Sequence, residues 1–455
     1  MESQEGVSGT AHAAGSAGPG GDSRAAPSAE TALPRSELIL APPEPGRPRV
    51  AILGAGFGGL EAAKALAHAP VEVVIVDRHN YHCFQPLLYQ VATAALSPAD
   101  VAWPIRSILR NQGNARVVMA GVVGIDKQRK QVITDAGSFN YDFLILATGA
   151  THSYFGHPEW ESVAPGLKDI PDATKIRTRI LQAFERAELT QDEQEQHRLM
   201  TFVVVGGGPT GVEMVGAIAE VARRTLRNDF RHIDPRMARI VLIEAGPRLL
   251  AAFPGNLSRY AEASLGWMGV EVKTSTRVTA CDARGVSIGK ERIEAATLIW
   301  AAGVVASPAA QWLGAAHEHS GRILVNPDLS VGDIPNTYAI GDTAAVKDPT
   351  GQPVPGVAPA AKQMGHYVAQ RIAAELTGAP RPQPFAYRDL GELATIGRKS
   401  AVVKVGRVEL TGVIGWAFWS VVHIYFLIGA RDRLVVAVNW FWNYLTFQRG
   451  ARLIT

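Results

Sequence analysis

The stretch "RPRVAILGAGFGGLEAAKALA" (47–67) decides how this chain folds. Its apolar run at 50–53 predicts a short buried strand, and "EAAKALA" has the composition of a helix. Between them stand Gly54, Gly56 and Gly59 in a G-x-G-x-x-G turn. In such a turn the first glycine allows the tight bend and the second lets backbone approach a pyrophosphate. The third lets the helix pack close to the sheet, while the helix N-terminus offers N–H groups to an anion. Glycine-rich turns are common, but this one lies between strand and helix, and a second apolar run, "VEVVIVD", ends at Asp77. A carboxylate there can accept both ribose hydroxyls of an adenosine, which makes the unit a dinucleotide site.

The same grammar returns in "RLMTFVVVGGGPTGVEMVGAIAE" (198–220). A strand at 202–205 leads into Gly206, Gly208 and Gly211, and a helix is expected from Val212. The next strand, in "RIVLIEAGPRLL", ends at Glu244, with "LRNDFRHIDPRMAR" read as an extension of the helix and a loop. A carboxylate at Glu244 bonds a ribose 2′-hydroxyl and repels a 2′-phosphate, favouring NADH over NADPH, with Arg248 nearby pulling the other way. Two dinucleotide folds in one chain point to hydride transfer between a nicotinamide and a flavin. Two strand ends fit that chemistry. "YDFLILATGA" (141–150) runs into Thr148 and Gly149, where small residues let backbone lie against a cofactor, and "NTYAIGDTA" (336–344) delivers Gly341 and Asp342, whose carboxylate can hold a polyol chain.

Composition bounds the rest. With 455 residues, 47% apolar and 19% charged, the chain is long enough for two or three domains. A net charge of +3 without a basic block gives no reason to expect nucleic acid. Two cysteines, Cys83 and Cys281, stand far apart, so neither a disulfide framework nor a metal site is expected and Cys83 reads as a small buried thiol. Residues 1–47 are Gly, Ala, Ser, Pro and acidic residues, a composition expected to stay disordered and lacking the pattern of a secretory signal.

The order of "ATGA", the second glycine fingerprint and "YAIGD" resembles the pyridine-nucleotide-dependent flavoprotein disulfide reductases, in which an FAD domain is interrupted by an NAD(P)H domain. Those enzymes carry a redox cysteine pair near the flavin, and sulfide:quinone oxidoreductases also need cysteines there; this chain has no such pair. "FQPLLYQVATAALSP" (84–98), "GWAFWSVVHIYFLIGARDRL" and "RGARLIT" are similar to the type II NADH dehydrogenases, single-subunit NADH:quinone oxidoreductases. The resemblance implies that Gly54, Gly56, Gly59 and Asp77 hold the ADP half of FAD and Asp342 its ribityl chain. It implies that Gly206, Gly208, Gly211 and Glu244 hold NADH, with Glu213 and the Ala302-Gly303 turn alongside. Glu185 would stand near nicotinamide and quinone with a role in charge or proton transfer, though a glutamate on an amphipathic helix is ordinarily a solvated face. The quinone end of the family carries A-Q-x-A-x-Q; here Gln363 matches the second glutamine and Pro359 replaces the first. Lys362 and the 393–402 segment, with Ile396, are the remaining candidates for that pocket.

The C-terminus holds Trp416, Trp419, Trp440 and Trp442. Residues 411–430 carry no formal charge with His423 neutral, and could form either a buried element or a span. In the following helix Asp432, Asn439, Asn443 and Thr446 form one narrow polar stripe, and aromatic and aliphatic residues cover most of the rest. Such a helix suits a membrane interface, where Trp and Tyr sit at headgroup level and Arg431, Arg433, Arg449 and Arg452 meet anionic lipid. A helix docked in a soluble core is the alternative.

The reading is therefore an α/β chain with two Rossmann-like domains: 1–47 tail, 48–165 and 306–390 FAD domain, 166–305 NADH domain, and 391–455 quinone-site and membrane-anchoring region. Its function would be NADH oxidation with electrons passed through FAD to a membrane quinone, without proton pumping, on the cytoplasmic face of a bacterial membrane, with a homodimer as an allowed arrangement. A reductase for a soluble redox protein, or a flavin-based redox sensor, are the rival readings.

Overall fold

Strands buried on both faces of a parallel sheet must be apolar along their whole length, and the runs at 50–53, 73–76 and 143–146 meet that condition. The structure is a computed structural model that describes residues 40, 45–427, 429–446 and 451–454. The disorder expected in 1–47 lies almost wholly outside the described residues, as do Arg449 and the side chains of Arg431, Asp432, Asn443 and Thr446. Five parallel strands form the first sheet in the order Thr337–Ala339, Phe143–Leu146, Arg49–Leu53, Glu72–Asp77 and Ala115–Met119. Four form the second, in the order Val270–Lys273, Arg239–Ile243, Thr201–Val205 and Thr297–Trp300.

The second sheet is built entirely between two strands of the first. The chain leaves after Phe143–Leu146, builds the second sheet, and returns to add Thr337–Ala339 at the edge. At the exit and the return, Ala150–His152 and Val304–Ala306 pair antiparallel, so the two crossings hydrogen-bond to each other.

The helix after the first glycine turn is Phe57–Ala65, and it lies close against Ala358–Thr377, where a Cβ on Gly365 would come within 2.2 Å of the Gly58 carbonyl oxygen. The helix after the second turn is Pro209–Glu220, beginning three residues before the expected Val212. Proline fits this first position because its missing N–H would have had no partner in the helix. The segment expected to extend that helix does so only through one wide turn, Val221–Thr225. Beyond it the loop is pinned by Glu188, whose carboxylate accepts the N–H groups of Arg231, His232 and Ile233 at 2.9–3.0 Å.

A three-stranded antiparallel meander, Glu392–Thr395, Ala401–Val405 and Val408–Thr411, follows and leads into two helices, Gly412–Phe426 and Ala430–Thr446. Neither alternative drawn from composition describes this pair fully. Trp419, Leu427 and Val436 are 1%, 2% and 0% exposed and join the same apolar core as Phe184, Val212 and Ile218. Val413, Ile414, Val421, Leu434, Val438 and Phe441 lie exposed on the other side. No helix among the described residues is long and apolar enough to cross a membrane. Arg452, expected to meet lipid, pairs with Asp229, and Arg433 donates to the Leu427 carbonyl at 2.9 Å.

The close approach of helix to strand at each glycine turn sets a sharp steric limit. A Cβ on Gly211 would stand 1.8 Å from the Gly206 carbonyl oxygen, whereas one on Gly266, exposed on the helix Gly255–Trp267, meets nothing within 4 Å. Gly211→Ala should cost about 3 kcal/mol or more. Gly266→Ala should stabilise by about 0.5–1 kcal/mol. Thermal unfolding of the two variants measures the contrast.

Candidate functional site

The first cleft is built by packing that leaves one glycine uncovered. A Cβ on Gly54 would fall 2.3 Å from the Ala147 carbonyl oxygen and one on Gly59 would fall 1.9 Å from that of Gly54, but Gly56 has nothing within 4 Å. The two outer glycines are therefore fixed by protein, and the middle one faces open space where a pyrophosphate would lie. Asp77 ends its strand and holds the loop, with Oδ2 accepting from the Ala55 N–H at 2.7 Å and Oδ1 from the His79 N–H at 2.8 Å. Opposite, the Gly149 N–H donates to Thr343 Oγ1 at 2.8 Å, and Thr148 Oγ1 lies 2.5 Å from Ser307 Oγ. The Gly341 N–H meets Met364 Sδ at 3.2 Å, and Asp342 is only partly buried, with Lys168 Nζ at 3.9 Å.

The second cleft repeats the design. A Cβ on Gly206 would collide with the Ala301 carbonyl oxygen at 2.4 Å, while Gly208 has nothing within 4 Å. Glu244 Oε2 accepts from the Gly207 N–H at 2.5 Å and Oε1 from the Gly246 N–H at 2.6 Å. Arg248 is turned to its own loop, donating to the Phe253 and Ala251 carbonyls at 2.9 and 2.6 Å. At Gly303 the ring of Phe155 stands 2.8 Å from where a Cβ would be.

Four of the expected residues have surroundings that the sequence did not specify. Glu185 lies on the exposed side of helix Ile170–Leu189, whose inner side packs through Ile176, Ile180 and Phe184. The amphipathic pattern of the helix accounts for its exposure. Glu213 is 8% exposed and points to the meander, where Oε1 accepts the Thr395 N–H at 3.3 Å. It shares one side of its helix with Gly216, on which Gly397 packs. Burial pushes its carboxyl up to about 8. Gln363 places both ends of its amide on the backbone of Arg388, donating at 2.9 Å and accepting at 2.9 Å, which leaves it clamping a loop. Ile396 is 2% exposed, within the core. Pro359 and Lys362 are partly buried, and Lys362 Nζ stands 5.4 Å above the Phe426 ring.

Other residues enter that sequence reasoning passed over. His82 is buried, donates through Nδ1 to the Ala55 carbonyl at 2.8 Å, and is held neutral by burial at about 4. Phe57, inside the first glycine turn, packs edge-on against Phe84 at 5.9 Å, Phe84 against His423 at 6.2 Å, and His423 stacks on Trp419 at 3.9 Å. Behind the C-terminal helices these rings end at a cavity walled by Tyr89, Trp416, Trp419 and Trp440. Besides the C-terminal tryptophans, the signal was in "NYHCFQPLLYQ", where the aromatics flanking Cys83 mattered more than the thiol. Burial raises both cysteine thiols to about 12, and among the described residues no group of three or more His, Cys, Asp or Glu could hold a metal.

Comparison with known proteins agrees with this geometry. The pyridine nucleotide-disulphide oxidoreductase family matches residues 48–365. The type II NADH:quinone oxidoreductases Ndh and NdhA of Mycobacterium tuberculosis are each 43% identical, over 437 and 427 residues, covering 93% and 90% of this chain and the same shares of their own. The structure of NDH2 from Plasmodium falciparum in complex with NADH superposes with a TM-score of 0.82 at 22% identity, covering 90% of this chain and 100% of that one, a likeness of fold. With two clefts of one design, no paired cysteines and relatives matched over nearly their whole length, this chain belongs to the type II NADH:quinone oxidoreductases within the pyridine nucleotide-disulphide oxidoreductase family.

Proposed function

We infer that the chain oxidises NADH and delivers its two electrons through FAD to a membrane quinone. The overall reaction takes one hydride from NADH and one proton from water, and leaves NAD⁺ and quinol. The observation that carries the reading is the pair of clefts, each with an uncovered middle glycine and a strand-end carboxylate. We read the segments 48–165 and 306–390 as the FAD domain and 166–305 as the NADH domain. FAD fits the first cleft because the middle glycine of its turn is left uncovered where the pyrophosphate would lie. The chemistry it supplies when bound is a two-electron relay between nicotinamide and quinone.

The chain's own residues do the rest by placement. Asp77 and Glu244 present carboxylates to the two riboses. Glu244 is already held by two N–H groups, so an added 2′-phosphate would face fixed negative charge. Glu213 keeps its proton near neutral pH and lies beside Tyr89, close to the meander and the aromatic cavity. We assign it, in place of Glu185, as the group that holds a proton on the quinone side. The exposed apolar side of the two C-terminal helices is the surface that would lie in the membrane interface, and we place it on the cytoplasmic face.

Purified holoenzyme should oxidise NADH faster when a short-chain quinone is added, and should sediment with vesicles. A protein acceptor that accelerates turnover where quinone does not would overturn the assignment. Cutting the chain before residue 412 is a poor test, because it removes Trp419 and Val436 from the core. Glu244→Ser should raise KM for NADH about tenfold and narrow the preference over NADPH, measured as kcat/KM for both nucleotides. Glu213 also makes a stability prediction. A carboxyl raised to about 8 on folding favours the folded state at low pH, and that contribution is lost as pH climbs from the ordinary carboxylate range through 8. The Tm of Glu213→Gln relative to wild type should therefore rise steadily between pH 5 and 8, read by thermal unfolding.

A further inference from the structure

Lys168 belongs to the segment read as the NADH domain, yet its side chain turns to the other sheet. Its Nζ lies 3.9 Å from Oδ2 of Asp342, which stands just beyond the first-sheet strand Thr337–Ala339. The neighbouring Thr343 Oγ1 receives the Gly149 N–H, so Asp342 sits among the residues of the first cleft. The two side chains are 23% and 27% exposed, and solvent screens the pair only in part. The pair made by the next residue is of another kind: Asp169 meets Arg78 at 3.5 Å, but Arg78 is 69% exposed and its charge is largely screened.

The backbone that carries Lys168 is fixed from several directions. Gly166 pairs with Trp300 in a parallel bridge, and the Trp300 N–H donates to the Pro165 carbonyl at 2.9 Å. A Cβ on Gly166 would fall 2.1 Å from Nδ1 of His152, so that ring packs directly on the chain. The Lys168 N–H donates to Asp172 Oδ2 at 2.8 Å, and the same oxygen lies 2.9 Å from His152 Nε2. Asp169 caps the helix Ile170–Leu189 by accepting the Asp172 N–H at 3.0 Å. A second-sheet strand end, the ribbon between the sheets and a helix start thus hold the lysine, which presents its charge to the first sheet. On its other side Asp342 has little room, because a Cβ on Gly356 would stand 2.9 Å from Oδ1.

We propose that Lys168 sets the reduction potential of the flavin by offsetting the charge of Asp342; the assignment rests on the reading of the first cleft as the FAD site. A carboxylate that holds the polyol chain of FAD puts a fixed negative charge beside the cofactor. Taking up a hydride adds further negative charge there, so an unbalanced Asp342 would oppose the reaction that the chain performs. An ammonium 3.9 Å from Oδ2 cancels most of that field at a distance, and it leaves the carboxylate lone pairs with which to accept hydrogen bonds. Lys168 acts through Asp342 and is therefore a positioning residue. The charge comes from the segment read as the NADH domain, so the half that would bind the reductant also prepares the other half to receive its electrons. A purely mechanical tie between the two sheets is the competing account, and it would depend on the bond and not on the net charge.

Three variants separate charge from tie: Lys168→Met, Lys168→Arg, and Lys168→Met combined with Asp342→Asn. The bound flavin of each holoenzyme is titrated anaerobically against a reference redox dye and followed by its visible spectrum. Lys168→Met should shift the flavin couple about tenfold toward its oxidised form, which is about 30 mV lower for a two-electron couple. Lys168→Arg keeps the charge and should move by less than about a quarter of that. The double variant removes both charges and should return toward the wild-type value. A wild-type potential in flavin-loaded Lys168→Met overturns the proposal. So does an equal fall in Lys168→Met and Lys168→Arg, or a fall that persists in full in the double variant, since either marks a mechanical tie. The two single variants decide the matter if the double one does not load. If Lys168→Met does not keep its flavin, Lys168→Gln is titrated in its place; loss of flavin from both overturns the proposal, because a group that only balances charge is not needed to retain the cofactor. Wild type that contains no FAD overturns the reading of the cleft itself, and the role of Lys168 with it.

Discussion

Each nucleotide loop is held open by a carboxylate that stands at the end of the neighbouring strand and accepts a backbone N–H from inside the loop. Asp77 does this for Ala55 and Glu244 for Gly207. An ionised acceptor makes these bonds stronger than neutral ones, and each carboxylate keeps further lone pairs for a ribose. The outer glycines of each loop are jammed against backbone, so the carboxylate and the steric contacts together define one loop position. Both parallel sheets are arranged around these two points, with the strands supplying the carboxylates and the helices that follow the glycines packing behind them.

This local character explains what could be read in advance. A glycine turn, its strand and its acidic partner lie within a few tens of residues, so the pattern in the chain is nearly the structure itself. The region beneath the C-terminal helices is assembled from distant pieces. Glu213 is buried by Thr395, 182 residues away, and Gln90 meets Trp440 across 350 residues. Nothing around Glu213 in the chain tells it apart from Glu185, and only the packing of the meander separates them. Gln363 matched a family position by spacing, yet its amide is taken by Arg388, 25 residues on, in a loop whose path no periodicity encodes.

The C-terminal helices belong to two environments at once. Tryptophan-rich sequence invites a choice between core and surface, and the pair takes both: Trp419 packs with the interior of the second half while Val421 and Phe441 stay exposed. An amphipathic helix usually sets apolar against polar, but here both sides are apolar and differ in what they touch. Buried His423 fits this arrangement because it is uncharged and its Nδ1 bonds back to its own helix.

The two crossings between the sheets have a mechanical meaning. Ala150–His152 follows directly on Thr148 and Gly149 at the first cleft, and Val304–Ala306 follows directly on Gly303 at the second. Because these strands are bonded to each other, the connection is a single two-ply ribbon rather than two separate tethers. A ribbon resists shear between its plies and yields most easily to twist along its length. Any turning of one sheet relative to the other would therefore be delivered to both nucleotide contact points together, as a matched rotation that leaves their spacing along the ribbon unchanged.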